Sequence, residues 1–133
     1  MQVGMVGLGK MGSFMTARLL AGGHEVHAYD LSREAIEAAE ARGARGAASL
    51  RDLAGALASP RALWLMVPAG KATEETLAQI AELVEPDDVV IDGGNSNYRD
   101  SMRRATMFSQ RGVHFLDVGT SGGIWGLKEG YSL

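Results

Sequence analysis

The chain has 133 residues, of which 46% are apolar and 22% charged, and a formal charge of −3. That is a globular composition, long enough for one domain with its own core. The slight acidity offers no basic footprint for nucleic acid or an anionic membrane. The absence of cysteine excludes disulfides, thiolate metal sites and cysteine nucleophiles.

The opening segment 1–23 is apolar, but Lys10 and Arg18 interrupt it. No run approaches the ~20 apolar residues of a membrane span, so neither a signal peptide nor a spanning helix is expected, and a cytoplasmic location is. Residues 3–6 read as a buried strand. The chain then passes through Gly7-Leu8-Gly9-Lys10-Met11-Gly12 into a helix over 11–21. This is the spacing G-x-G-x-x-G. Gly7 suits a tight strand-to-helix turn, Gly9 lets the backbone come close to a pyrophosphate, and Gly12 lets the helix lie close to the strand. The helix start aims unpaired N–H groups and a positive dipole end at the same place. A glycine-rich turn also arises for structural reasons alone. Here, however, a strand precedes it, a helix follows it, and an acid closes the next strand.

That second strand covers 26–29 and ends at Asp30, with Leu31 and Ser32 after it. A carboxylate there accepts hydrogen bonds from both hydroxyls of an adenosine ribose. Against a 2′-phosphate about 4 Å away it sets a repulsion of ~4 kcal/mol at an effective dielectric near 20. Arg33 is close enough in sequence to soften that repulsion, so NAD is the expected cofactor and NADP the lesser expectation. Ser32 reads as the N-cap of a helix over 33–42, with Glu34 in its first turn and Gly43 beyond its end.

A helix over 50–57 and a strand over 62–67 come next, the strand running into Val67-Pro68-Ala69-Gly70. Thr73 then reads as the cap of a helix over 73–84. The fourth strand, 89–91, opens into the polar corner Asp92-Gly93-Gly94-Asn95-Ser96-Asn97 before a helix over 98–110 that Gly112 closes. A fifth strand over 113–118 leads to Gly119-Thr120-Ser121-Gly122-Gly123. The closing residues 130–133 look like the start of a sixth strand that is cut off. Valine-rich strands without alternation, separated by helices, imply a parallel sheet covered on both faces. The expected fold is therefore α/β, a Rossmann-type doubly wound parallel sheet stopping before or within its sixth strand. All five strand ends carry small, polar or turn-forming residues on one rim, which is where such sheets bind ligands.

Other residues invite roles that the pattern does not support. His24, His27 and His114 fit no metal triad and read as structural. Trp64 lies in a core strand, and the seven methionines read as packing residues. Trp125 suits either a ligand or a further domain. Arg103-Arg104 reads as a solvated helix face, with a phosphate role as the alternative.

The combination "GLGKMG", "LMVPAG", "IDGGNSNYRD" and "FLDVGTSGGIWGLKEGYSL" resembles the N-terminal domain of the decarboxylating 6-phosphogluconate dehydrogenases, in particular their NAD-preferring branch. The glycine loop and "SGG" are shared with the wider β-hydroxyacid dehydrogenase superfamily, whereas "DGGNS" followed by Tyr98-Arg99-Asp100 is narrower. The resemblance implies that Asn95 lies between nicotinamide and sugar acid, where an amide offers both a donor and an acceptor. A helix-capping asparagine is the alternative at this spot. It implies that Ser121, Gly122 and Gly123 hold the substrate carboxylate through a hydroxyl and backbone N–H groups. It also implies that Val67, Pro68 and Ala69 flank the nicotinamide ribose. Pro68 stands where NADP-using members commonly carry lysine, which again favours NAD.

The family reaction, a step of the pentose phosphate pathway, oxidises C3 of 6-phosphogluconate by hydride transfer. It then releases CO₂ and protonates the enol to ribulose 5-phosphate. Its lysine base and glutamate acid lie downstream of the first domain. No catalytic residue is therefore expected within 1–133, a dinucleotide-binding domain without the family's all-helical domain, and the isolated chain is expected to be inactive. A homodimer is expected only with that helical domain. Two alternatives stay open: a non-catalytic dinucleotide-binding module, and the first domain of another β-hydroxyacid dehydrogenase.

Overall fold

A computed structural model describes all 133 residues. Six strands form one sheet in the order β3-β2-β1-β4-β5-β6, with every neighbouring pair parallel. The strands are β1 (Gln2–Val6), β2 (Glu25–Tyr29), β3 (Arg45–Gly46), β4 (Ala62–Leu65), β5 (Val89–Asp92) and β6 (His114–Asp117). Between them run α1 (Lys10–Ala21), α2 (Arg33–Glu40), α3 (Leu50–Ala56), α4 (Lys71–Ala81) and α5 (Tyr98–Ser109), and a 3₁₀ turn (Gly123–Trp125) leads into α6 (Gly126–Glu129). This is the doubly wound order of the Rossmann fold.

Successive strand residues face opposite sides, and each side has its own core. Met5, Val26 and Ala28 pack with Met15 of α1 and Ala39 of α2. Val6, Leu63, Leu65 and Val90 pack with Leu53 of α3, Leu77 and Ile80 of α4, and Phe108 of α5. Phe108 is fully buried and stacks on Phe115 of β6 with ring centroids 5.4 Å apart.

Two expectations fail. The sixth strand is β3, a two-residue edge strand that pairs only His27 and Ala28. The closing residues do not begin another strand of the sheet. Ser132 makes an isolated antiparallel bridge with Ser121, closed by N–H···O bonds of 3.0 and 2.9 Å in the two directions.

The helix starts divide in the same way. Ser32 caps α2 as expected, its side chain accepting from Ala35 N. Thr73 caps nothing, because α4 begins two residues before it with Gly70 as the cap. Thr73 is fully buried instead and donates from Oγ1 to Pro68 O at 2.8 Å, tying α4 to the loop after β4. No helix is long and apolar enough to cross a membrane.

Candidate functional site

The chain reverses its winding between β1 and β4, since β1 pairs with β2 on one side and β4 on the other. The crevice beyond the carboxyl ends of these strands holds a cavity of about 580 Å³, well within the range of small-ligand sites. Gly7 and Gly9 after β1, Asp30 and Leu31 after β2, Val67 and Pro68 after β4, and Gly94 and Asn95 after β5 all reach it. The four loops meet although they are distant in sequence, because parallel strands deliver their ends to one rim.

The glycine loop is sterically determined. Gly7 has φ +94°, and a Cβ on it would sit 2.5 Å from Met66 O. A Cβ on Gly12 would sit 2.0 Å from Gly7 O, so α1 rests directly on the end of β1. Gly9 is different. A Cβ there meets nothing within 4 Å, and the residue faces the cavity. The first backbone bond of α1 runs from Ser13 N to Gly9 O, which leaves the N–H groups of Lys10, Met11 and Gly12 outside the helical ladder. Open space in front of a glycine and free N–H groups at a helix start fit a bound diphosphate.

Asp30 is held from two directions. Its Oδ2 accepts from Leu8 N and its Oδ1 from Ser32 N, each at 2.7 Å. The N–H of Leu8 is thus spent on Asp30, and its side chain is buried. Each carboxylate oxygen keeps a further lone pair, so Asp30 links the glycine loop to the β2 end and still has capacity for hydroxyl donors. Leu31 is almost fully exposed beside it. Arg33 is exposed and paired with Glu37 through Nε at 3.0 Å.

The corner after β5 is held both by hydrogen bonds and by close packing. Asp92 is fully buried, and its Oδ1 accepts from Gly94 N at 2.9 Å while its Oδ2 accepts from Ser96 Oγ at 2.5 Å. A Cβ on Gly93 would lie 2.5 Å from Trp64 Nε1, and one on Gly94 would lie 2.6 Å from Val67 O. Asn95 takes φ +58°, a conformation that asparagine tolerates better than most residues. It caps no helix; Asn97 caps α5 by accepting from Arg99 N. The Asn95 side chain instead crosses to the β6 loop. Its Oδ1 accepts from Thr120 N at 3.1 Å and its Nδ2 donates to Thr120 O at 3.3 Å. The amide keeps one lone pair and one N–H for a ligand.

Behind this corner lies Arg104, and it is not on a solvated face. It is only 2% exposed. Its Nη1 donates to Asp92 Oδ2 at 3.2 Å and to Ser96 Oγ at 3.0 Å, while its Nη2 donates to Glu74 Oε2 at 2.9 Å. Arg103 adds a bidentate pair to Glu74, both bonds 2.9 Å. Hydrogen bonds from Arg103, and next from Arg104, hold the Glu74 carboxyl down at about 2.

Ser121, Gly122 and Gly123 follow Thr120 and therefore stand next to Asn95. The N–H of Ser121 is taken by Ser132 O at 3.0 Å, so a nest of three amides is not available. The groups left free there are the Ser121 hydroxyl and the N–H groups of Gly122 (φ +141°) and Gly123 (φ +47°). Trp125, just beyond, is exposed.

Gly7, Gly9, Asp30, Leu31, Val67, Pro68 and Asn95 are thus brought to one cavity. Leu8, Ser32 and Ala69 sit beside it in the same loops, and Lys10, Met11 and Gly12 in the first turn of α1, without lining it; Ser121–Gly123 form a neighbouring loop. Sequence reasoning missed the wall formed by α4, where Ala72, Glu75, Thr76 and Gln79 line the cavity. Their i, i+3, i+4, i+7 spacing was a readable signal of one helix face. The buried partners Asp92 and Arg104 were missed as well. His27 is buried and bonded to Glu25 at 2.9 Å, as a structural histidine should be, whereas His114 is exposed.

The family model for the NAD-binding domain of 6-phosphogluconate dehydrogenase matches residues 2–133. The chain belongs to this family. It is 48% identical over its whole length to the NAD(+)-dependent, decarboxylating 6-phosphogluconate dehydrogenase of Haloferax volcanii, covering 44% of that protein. It is 35% identical over 99% of its length to the decarboxylating 6-phosphogluconate dehydrogenase of Staphylococcus aureus, covering 29% of it. The chain therefore spans less than half the length of these curated relatives. Among solved structures, the Plasmodium falciparum 6-phosphogluconate dehydrogenase superposes with a TM-score of 0.88 at 28% identity, over 98% of this chain and 29% of that one. A Mycobacterium tuberculosis 3-hydroxyisobutyrate dehydrogenase gives 0.84 at 25% identity, over 94% and 42%. The family is one of oxidoreductases, and the domain is its nicotinamide dinucleotide-binding part.

Proposed function

We propose that this domain, residues 1–133, holds NAD in preference to NADP and presents it to 6-phosphogluconate within a decarboxylating 6-phosphogluconate dehydrogenase. The observation that carries the cofactor choice is Asp30, whose carboxylate is fixed at the cavity edge by Leu8 N and Ser32 N. A ribose with two free hydroxyls satisfies it. A 2′-phosphate meets a charge held in place by two backbone N–H groups, while Arg33, three residues on, has its Nε on Glu37. The NAD(+)-dependent relative from Haloferax volcanii supports the same choice.

On this reading the N–H groups of Lys10, Met11 and Gly12 and the bare face of Gly9 receive the pyrophosphate, while Gly7 makes the turn. Leu8 acts through its bond to Asp30. Leu31 and Ser32 flank the adenosine. Val67, Pro68 and Ala69 flank the nicotinamide ribose. Asn95 meets the nicotinamide end and the sugar acid, and the Ser121 hydroxyl with the N–H groups of Gly122 and Gly123 receives the substrate carboxylate. Bound NAD supplies the hydride acceptor. On this reading this chain's residues bind, orient and exclude water, and none of them serves as the reaction's acid or base. Turnover therefore needs a second part carrying an acid and a base, and the chain alone does not turn over.

Titration calorimetry on the chain tests this. NAD should bind at least about tenfold more tightly than NADP, a gap of ~1.4 kcal/mol. Asp30→Ala should weaken NAD and close the gap. No heat with either nucleotide, or tighter binding of NADP, refutes the cofactor assignment. NADH formation and CO₂ release from 6-phosphogluconate by the chain alone would refute the division of labour.

A further inference from the structure

We infer that Arg104 is a positioning residue: buried beneath the corner after β5, it sets the Asn95 amide and, through it, the Ser121–Gly123 loop. This rests on the reading above that Asn95 meets the nicotinamide end of the dinucleotide.

The geometry runs in one unbroken path. Arg104 sits on α5 with its guanidinium under the loop, bonded to Asp92 and Ser96, the two residues that bracket Gly93, Gly94 and Asn95. Asp92 in turn grips Gly94 N and Ser96 Oγ. Gly93 and Gly94 are pressed on the β4 end so tightly that neither has room for a side chain. The peptide units around Asn95 therefore lie between Asp92 and Ser96, the two side chains that Arg104 holds together. Asn95 then clasps both backbone groups of Thr120, the residue before Ser121. The other edge of the guanidinium bonds Glu74 of α4, the helix that forms the facing wall of the cavity. One cation therefore ties two walls of a single site together.

A stability role alone accounts poorly for this choice. A buried ion pair seldom outperforms an apolar side chain of similar volume, because both charges lose their water. What a five-donor planar fork adds, and an apolar side chain lacks, is a unique orientation of every acceptor around it. The acceptors here are the loop that lines the cavity and the helix opposite it.

The experiment compares NAD with AMP, a probe that reaches only the adenosine end near Asp30. Removing Arg104 alone strands the buried Asp92 carboxylate, so the main variant is the charge-neutral pair Asp92→Asn/Arg104→Met. It should keep AMP affinity within about twofold, lose about tenfold or more in NAD affinity, and shift or broaden the Asn95 side-chain amide signal in an NMR spectrum. Arg104→Lys should recover only part of the loss, since a point charge cannot fork. Glu74→Gln removes one half-exposed acceptor and keeps the fold, and its expected effect lies in the same direction at smaller size. If the pair variant does not fold, Glu74→Gln and its Asn95 signal decide the matter. An unchanged Asn95 signal, a parental NAD-to-AMP ratio, or equal losses for both ligands would overturn the inference. Asn95→Ala separates the two levels. If it leaves the NAD-to-AMP ratio untouched, the reading of Asn95 itself is wrong and the inference falls with it. If it lowers the ratio while the Arg104 variants do not, only the inference falls.

Discussion

Two glycines three residues apart in one loop should respond to the same substitution in opposite ways. Alanine at Gly12 places a carbon 2.0 Å from the carbonyl oxygen of Gly7 and 3.3 Å from Met66 Cβ, whereas Cβ contacts under 3.0 Å are essentially never seen. The obstacle is backbone, not a side chain that can rotate, so α1 must withdraw by about 1 Å from the strand it rests on, an overpacking cost of ~1–3 kcal/mol. For a domain of this size that lowers the melting temperature by roughly 4 °C per kcal/mol. Alanine at Gly9 meets nothing within 4 Å, and its φ of −59° is not the left-handed conformation that demands glycine. Its stability should stay within about 0.5 kcal/mol of the parent. Its methyl group, however, fills the space proposed for the pyrophosphate, and NAD affinity should fall about tenfold or more, ~1.4 kcal/mol. Thermal melts paired with titration calorimetry read both quantities on the same samples. A Gly9→Ala protein that binds NAD as the parent does would show that the diphosphate does not lie on this loop. A Gly12→Ala protein that melts with the parent would show that α1 does not rest on β1 as described.

Further consequences concern stability. Glu74 is held at about 2 by Arg103 and Arg104, below the ordinary carboxylate value of 4.5. Its contribution is therefore complete above 4.5 and is lost as pH falls through about 2. Because the group is half-exposed, solvent screening limits it to ~1 kcal/mol. Denaturant midpoints between pH 6 and pH 2 should fall less steeply in Glu74→Gln than in the parent, and equal slopes would dismiss the assignment. Phe108→Ala removes a fully buried ring from under β6 and should cost ~3–5 kcal/mol by urea titration. A loss below ~1 kcal/mol would mean that the α5 side of the sheet is not packed as seen.

What the sequence determined by itself was everything carried by near neighbours in the chain. The strand cores, the turn chemistry of Gly7–Gly12, the acid at the end of β2 and the Ser32 cap each depend on residues within a few positions of one another. Valine runs and glycine spacings report them directly. The short edge strand Arg45–Gly46 escaped because two exposed residues carry no hydrophobic period. Its existence depends on pairing with β2 nearly twenty residues earlier in the chain. The α4 wall was legible as a helix face, but not as the face turned toward the glycine loop. That depends on where the crossover lays the helix.

Arg104 is the clearest case of a decision left to tertiary structure. In sequence it belongs to a basic pair on a polar helix. In space its partners come from β5, from the corner beyond it and from α4, and the three together supply enough acceptors to bury a guanidinium that would otherwise stay in water. Burial of a charge is a property of the assembled surroundings, not of the residue. Only the folded sheet, by bringing those acceptors to one point, could decide it.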